Sequence, residues 1–118
     1  MANDFIRVCT PDIATSLTTI YAVPAGASSA ALESIVIGIT AANKTTTGVT
    51  VDIFIDNEDG SNDVYIVKGA SIPAGAALEV MAGNKLVLMN DGTNGDNLEA
   101  LASAGSSVDI TVSVLEDV

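Results

Sequence analysis

The side chains able to do chemistry in this chain are almost all carboxylates. Asp and Glu number 15, Lys and Arg four, Cys one and His none in 118 residues. A chain without His builds no Ser-His-Asp relay and no Cys-His pair, and it lacks the imidazoles of mixed zinc sites. Cys9 has no partner for a disulfide within the chain, and beside a strand pattern it reads as a small core residue. Carboxylates gather at two places. "DNEDGSND" carries Asp56, Glu58, Asp59 and Asp63 around one Gly, and "DGTNGDN" carries Asp91, Asn94 and Asp96. Calcium wants six to eight hard oxygens, about what such loops could supply. The first loop, however, departs from the EF-hand pattern at its fifth and twelfth positions, so both read first as solvated hairpin loops rich in turn formers. Paired acids for glycoside hydrolysis have material enough, but no spacing singles out two of them. The phosphate loops G-x-G-x-x-G and G-x-x-x-x-G-K-[ST] do not occur. Asn43-Lys44-Thr45 has the form of a glycosylation sequon.

The elements that would position these residues are strands. "VTVDIFID" alternates Val49, Val51, Ile53 and Ile55 on one face with Thr50, Asp52, Phe54 and Asp56 on the other. "VDITVSVLE" does the same, Val108, Ile110, Val112 and Val114 against Asp109, Thr111 and Ser113. This is the period of a half-buried strand. "SIVIGITA" predicts a third strand with Ile35, Ile37 and Ile39 on one face. Four shorter runs are rich in β-formers or apolar residues: "TTIYAV" (18–23), "DVYIVK" (63–68), "ALEVMA" (77–82) and "KLVLMN" (85–90). "FIRVC" (5–9) suits an edge, and "LEALAS" (98–103) admits a strand or one helical turn. Turn formers separate the runs, and no long helical period occurs.

A phrase is written twice: "VPAGASSAALE" from Val23 and "IPAGAALE" from Ile72. Pro ends a hydrogen-bonded ladder, because it has no N–H to give. Pro followed two residues later by Gly predicts a β-turn with Pro second and Gly fourth. Each copy therefore reads as a strand, a corner and a new strand, two pseudo-symmetric corners of one sandwich rather than a repeated binding loop. About eight evenly spaced strands predict a single all-β domain over 1–118, an antiparallel, jelly-roll-like β-sandwich.

Composition narrows the partners. The formal net charge is −11, and Arg7, Lys44, Lys68 and Lys85 are scattered along the chain. Nucleic acid and anionic lipid would be repelled, since binding them needs clustered cations. No apolar run approaches the ~20 residues of a membrane-spanning helix, and the opening "MANDFIRVCTPD" lacks the pattern of a secretory signal. Charged residues are only 16% while apolar residues are 48%. So little polar material for a skin favours an oligomer or a packed lattice. Alternation turns Phe54, Met81 and Leu115 outward, which makes them the interface candidates. Four aromatics and no Trp disfavour a sugar-stacking platform.

From Thr18 onward the chain resembles small virion proteins of tailed bacteriophages. The resemblance rests on "TTIYAVPAGASSAALESIVIGIT", "IPAGAALEV", "NKLVLMNDG" and the closing "SSVDITVSVLED". It implies a β-sandwich without catalysis or cofactor, built into a particle. Capsid decoration or cement proteins of that group are commonly small, acidic and trimeric, bound at capsomer junctions. The expectation is a non-enzymatic protein made in a host cytoplasm and placed on the capsid surface, with the major capsid protein or another virion protein as partner. Alternatives are a tail, neck or fibre component, or a carbohydrate- or calcium-binding sandwich module.

Overall fold

A computed structural model describes residues 3–26, 28, 30–56, 63–81 and 85–117, the side chains of Asn3 and Asp117 excepted. Among the described residues there are nine strands: β1 (Asn3–Thr10), β2 (Thr18–Ala22), β3 (Leu32–Asn43), β4 (Val49–Asp56), β5 (Asp63–Ile72), β6 (Ala77–Glu79), β7 (Leu86–Asn90), β8 (Asn97–Ala102) and β9 (Val108–Asp117). They form two sheets. The front sheet runs β1-β9-β3-β6, with β7 also paired to β3; the back sheet runs β2-β8-β4-β5. Every pairing is antiparallel.

The pairings nest: β1 with β9, β2 with β8, β3 with β6 and β7, β4 with β5. This is a long antiparallel hairpin rolled up, closed into sheets by β3 on β9 and β4 on β8. The jelly-roll reading of the sequence is therefore right in topology. One position of the roll is shared: β6 lies along Thr40–Ala42 and β7 along Leu32–Val36 of the same long β3. "LEALAS" is a strand, inside the back sheet between β2 and β4.

The core lies between the sheets and is aliphatic. Val36, Ile39, Leu88, Ile110, Val112 and Val114 face Ile20, Val51, Ile53, Ile72, Leu98 and Ala100. Each fully buried Val, Leu or Ile contributes about 1.5–3 kcal/mol of transfer free energy. Ile13, from the β1–β2 connection, is wholly buried, with its N–H bonded to Val108 O at 2.8 Å.

The expected face of β3 needs correction. Val36 and Ile39 are buried, Ile35 is half-buried, and Ile37 is 42% exposed. The β3–β9 register shifts between Val36 and Gly38. One bulged residue inverts the alternation beyond it, so Ile35 and Ile37 face outward together while Ile39 turns inward.

The twice-written phrase does mark equivalent places. Each copy leaves an edge strand of the back sheet, β2 or β5, and crosses to the front sheet. The backbone turns differ. At the second, Ala76 N–H donates to Pro73 O (3.1 Å) and Gly75 has φ +69°, so Pro73 is first and Gly75 third, as a type II turn requires. At the first, Gly26 N–H donates to Ala30 O (2.8 Å) across a wider loop. What the corners share is a lock. The carbonyl before each Pro accepts from a buried Asn amide: Asn90 Nδ2 to Val23 O (2.8 Å) and Asn43 Nδ2 to Ile72 O (3.0 Å). Both Asn are the last residues of front-sheet strands, β7 and β3. Gly95 lies against the first lock, where a Cβ would sit 2.5 Å from Asn90 Nδ2 and 2.9 Å from Val23 O.

Candidate interaction surface

The outer face of the front sheet carries an apolar row. Phe5 opposes Leu115, Leu115 opposes Ile35, and Ile35 opposes Val87, across β1, β9, β3 and β7. Alternation forces this row outward, because Ile6, Val114, Val36 and Leu88 take the inward positions beside it. Phe5 is 78% exposed and Val87 55%, while Leu115 and Ile35 are half-buried by their neighbours. Met89 and the bulged Ile37 extend the apolar surface at 46% and 42% exposure. Charges flank the row asymmetrically. Glu33, opposite Met89, lies on one side. Arg7, opposite Ser113, lies on the other. Lys85, just before Leu86, stands at the same end as Arg7, and all three are exposed.

The outer face of the back sheet is arranged otherwise. Thr19, Glu99, Phe54 and Tyr65 neighbour one another across β2, β8, β4 and β5. Thr19 Oγ1 donates to Glu99 Oε2 at 2.6 Å. The Phe54 and Tyr65 rings lie 5.1 Å apart, and Lys68 Nζ stands 4.6 Å over the Tyr65 ring. Asp52 Oδ1 accepts from Gly69 N–H at 2.6 Å.

The three interface candidates fare differently. Leu115 lies in the front apolar row. Phe54 points away from the inter-sheet core, yet it is only 2% exposed. Its cross-strand neighbours Tyr65 and Glu99 cover it, and a covered ring offers nothing to a partner. Met81 lies just past the short β6 and packs, half-buried, against the core instead of outward. Alternation does not reach it, because β6 ends at Glu79. Cys9 is exposed rather than buried: Ile6 and Val8 take the inward positions of β1, leaving Cys9 outward opposite Thr111. The exposed rings, Phe5 and Tyr65, belong to different sheets, whereas Tyr21 and Phe54 are buried; they form no common stacking platform.

Of the first acidic loop, Asp56 and Asp63 face each other across the β4–β5 pair, while Glu58 and Asp59 fall outside the described residues. In the second, Asp91 Oδ1 accepts from Asn94 N–H and then Thr93 N–H (both 2.8 Å), which in that order hold its carboxyl below the usual range. Asp96 Oδ2 accepts from Met89 N–H at 3.0 Å. Among the described residues no three carboxylate or Cys groups cluster for a metal. The sequon Asn is 2% exposed and occupied by the corner lock, so the folded chain presents no amide there for a glycan.

Sequence reasoning missed two polar clusters, because each joins residues far apart in the chain. Tyr21 of the back sheet donates its hydroxyl to Glu116 Oε2 (2.5 Å) and meets Ser34 Oγ at 2.8 Å, both on the front sheet. Burial, then the bond to Glu116, pushes the Tyr21 hydroxyl well above its ordinary range. At the other cluster Lys44 pairs with Asp12 and with Asp109 (2.9 Å), and Asp12 N–H donates to Asp109 Oδ1 at 3.0 Å. These bonds raise the Lys44 amine, Asp12 contributing most, and lower the Asp109 carboxyl, the Asp12 N–H first and Lys44 second. A lowered carboxyl contributes stability above the ordinary carboxylate range, and that contribution is lost as pH falls through it toward the folded value. In Lys44→Met, the Asp109 carboxyl tracked by NMR should titrate at higher pH than in the parent, yet still below an ordinary Asp. A return to the ordinary value would mean that the Asp12 N–H does not hold it.

No protein-family model matches the chain, and no curated protein matches it significantly.

Proposed function

We propose that this protein is a structural subunit of a tailed-bacteriophage particle, a decoration or cement protein that adheres to the assembled head. The observation that carries the reading is the apolar outer row of Phe5, Leu115, Ile35 and Val87 on a sandwich whose net charge is −11. An acidic skin keeps the free subunit soluble and away from packaged DNA. Exposed apolar faces supply contact area where subunits meet. The mechanism is adhesion. A subunit that binds the closed shell and not its dissociated parts stabilises the shell by mass action, about 2.7 kcal/mol per site at a hundredfold excess over Kd. The expected partner is the major capsid protein or a neighbouring head protein. Quantitative mass spectrometry of purified particles tests this, with the protein expected at on the order of hundreds of copies; a closed ring at the neck or tail would hold on the order of ten. Absence from every particle would overturn the proposal.

A further inference from the structure

We infer that the outer face of the front sheet is covered by a second copy of this chain, related by a two-fold axis lying along the apolar row. The order of side chains along the strands points to it. Glu33 lies on one side of the row Phe5–Leu115–Ile35–Val87, and Arg7 and Lys85 lie on the other. Two sheets that pack face to face by symmetry have their two-fold in the plane of contact, and an isologous contact must be complementary to itself.

For strands that run aligned with those of the second copy, two directions for that axis are available, and charge chooses between them. An axis parallel to the strands leaves each flank facing its own kind: β1 crosses over β7 of the other copy, so Arg7 meets Lys85. An axis along the row lays the apolar row on itself, Leu115 against Leu115 and Val87 against Val87. It also exchanges the flanks, so Glu33 of each copy lies over the end of the other that carries Arg7 and Lys85. Of the two, the second pairs opposite charges, and the juxtaposed like charges disfavour the first.

Size sets the strength. Four strands ~4.8 Å apart and three rows ~6.8 Å apart make a patch of roughly 400 Å² in plan. With side-chain relief, pairing buries on the order of 1,000 Å² in all, the lower edge of specific interfaces. The dimer is accordingly weak and concentration-dependent. It stands in place of the three-fold association implied by the resemblance; because it takes up the front row for contact between copies, adhesion to a shell would fall to the back sheet, where Tyr65 and Val64 of β5 are exposed. The pairing does not depend on which particle the protein joins.

Sedimentation equilibrium of the full chain from low micromolar to near-millimolar concentration tests it. The expected result is a monomer–dimer equilibrium built on the 11.9 kDa subunit. Val87→Asp should weaken it at least tenfold while leaving the thermal melt of the monomer in place. Glu33→Lys alone should weaken it several-fold, and Glu33→Lys with Lys85→Glu should restore it. A monomer throughout, a trimer, or a dimer indifferent to Val87→Asp would overturn the inference. A double variant no tighter than the single would overturn the axis. Neither outcome bears on whether the protein is found in particles, which the copy-number measurement decides separately.

Discussion

Asn43→Asp should destabilise this protein by about 4 kcal/mol or more. The side chain is 2% exposed at the end of β3. Its Nδ2 donates to Thr47 O (2.8 Å) and Ile72 O (3.0 Å), with Pro73 O at 3.3 Å, while Oδ1 accepts from Thr45 N–H (2.9 Å) and Oγ1–H (2.7 Å). Replacing the NH₂ by an oxygen removes donors from three carbonyls and sets a negative charge among them. A buried unpaired charge belongs to the rare class of substitutions costing about 4 kcal/mol or more, a large part of the roughly 5–15 kcal/mol available to a domain. Asn43→Ala removes the donors without adding charge and should cost about 2–3 kcal/mol.

The pH dependence separates the two variants. The introduced carboxyl binds its proton more tightly folded than unfolded, so its folded pKa is raised. Between the two pKa values the native state holds more protons, and stability falls as pH rises through that window. The deficit of Asn43→Asp relative to Asn43→Ala should therefore shrink below about pH 4, where the group is protonated in both states. Urea melts of both variants at neutral and acid pH check this; an Asp-versus-Ala difference that is the same at both pH values would show that the introduced charge does not carry the effect.

That lock was half legible in the sequence. The repeated Pro-Ala-Gly phrase announced two corners, and both corners occur at the same transition, from an edge strand of one sheet into the other. Nothing local connected Val23 with Asn90 or Ile72 with Asn43, because the partner of an X-Pro carbonyl is chosen by tertiary packing. Strands with unbroken alternation, β4 and β9, could be read residue by residue, since a two-residue period leaves no freedom once one face is buried. β3 could not. Its bulge at Ile37 is a single unpaired residue that reverses the parity of everything after it, and Ile-Val-Ile-Gly-Ile is apolar on either face. Met81 failed for a related reason: three residues of β6 are too few to impose a face on the residues beyond them. The apolar front row needed pairing as well as alternation, for Phe5, Leu115, Ile35 and Val87 come from four strands scattered over the chain. Leu115 could be singled out from its own strand, but its neighbours emerge only when β1, β9, β3 and β7 are put in register.

Phe54 shows how an outward residue can matter for folding rather than for contact. Phe54→Ala should lower stability by about 3 kcal/mol, a fall in melting temperature on the order of 10–15 °C, while leaving self-association of the remaining folded protein unchanged. The ring lies outside the inter-sheet core, so the cost cannot come from the sandwich interior. It comes from a thin second layer, in which Tyr65 and Glu99 flank the ring from the neighbouring strands and Lys68 closes over Tyr65. Aromatic pairs of this geometry add about 0.5–1.5 kcal/mol beyond their buried area. Tyr65→Ala, which uncovers the ring without removing it, should cost less than Phe54→Ala and render the Phe54 face accessible to an apolar dye. Val87→Asp should behave in the opposite sense, sparing stability and loosening the dimer. If Phe54→Ala instead dissociated the dimer at unchanged stability, the back sheet would be the contact surface, and the division of labour between the two outer faces would be reversed.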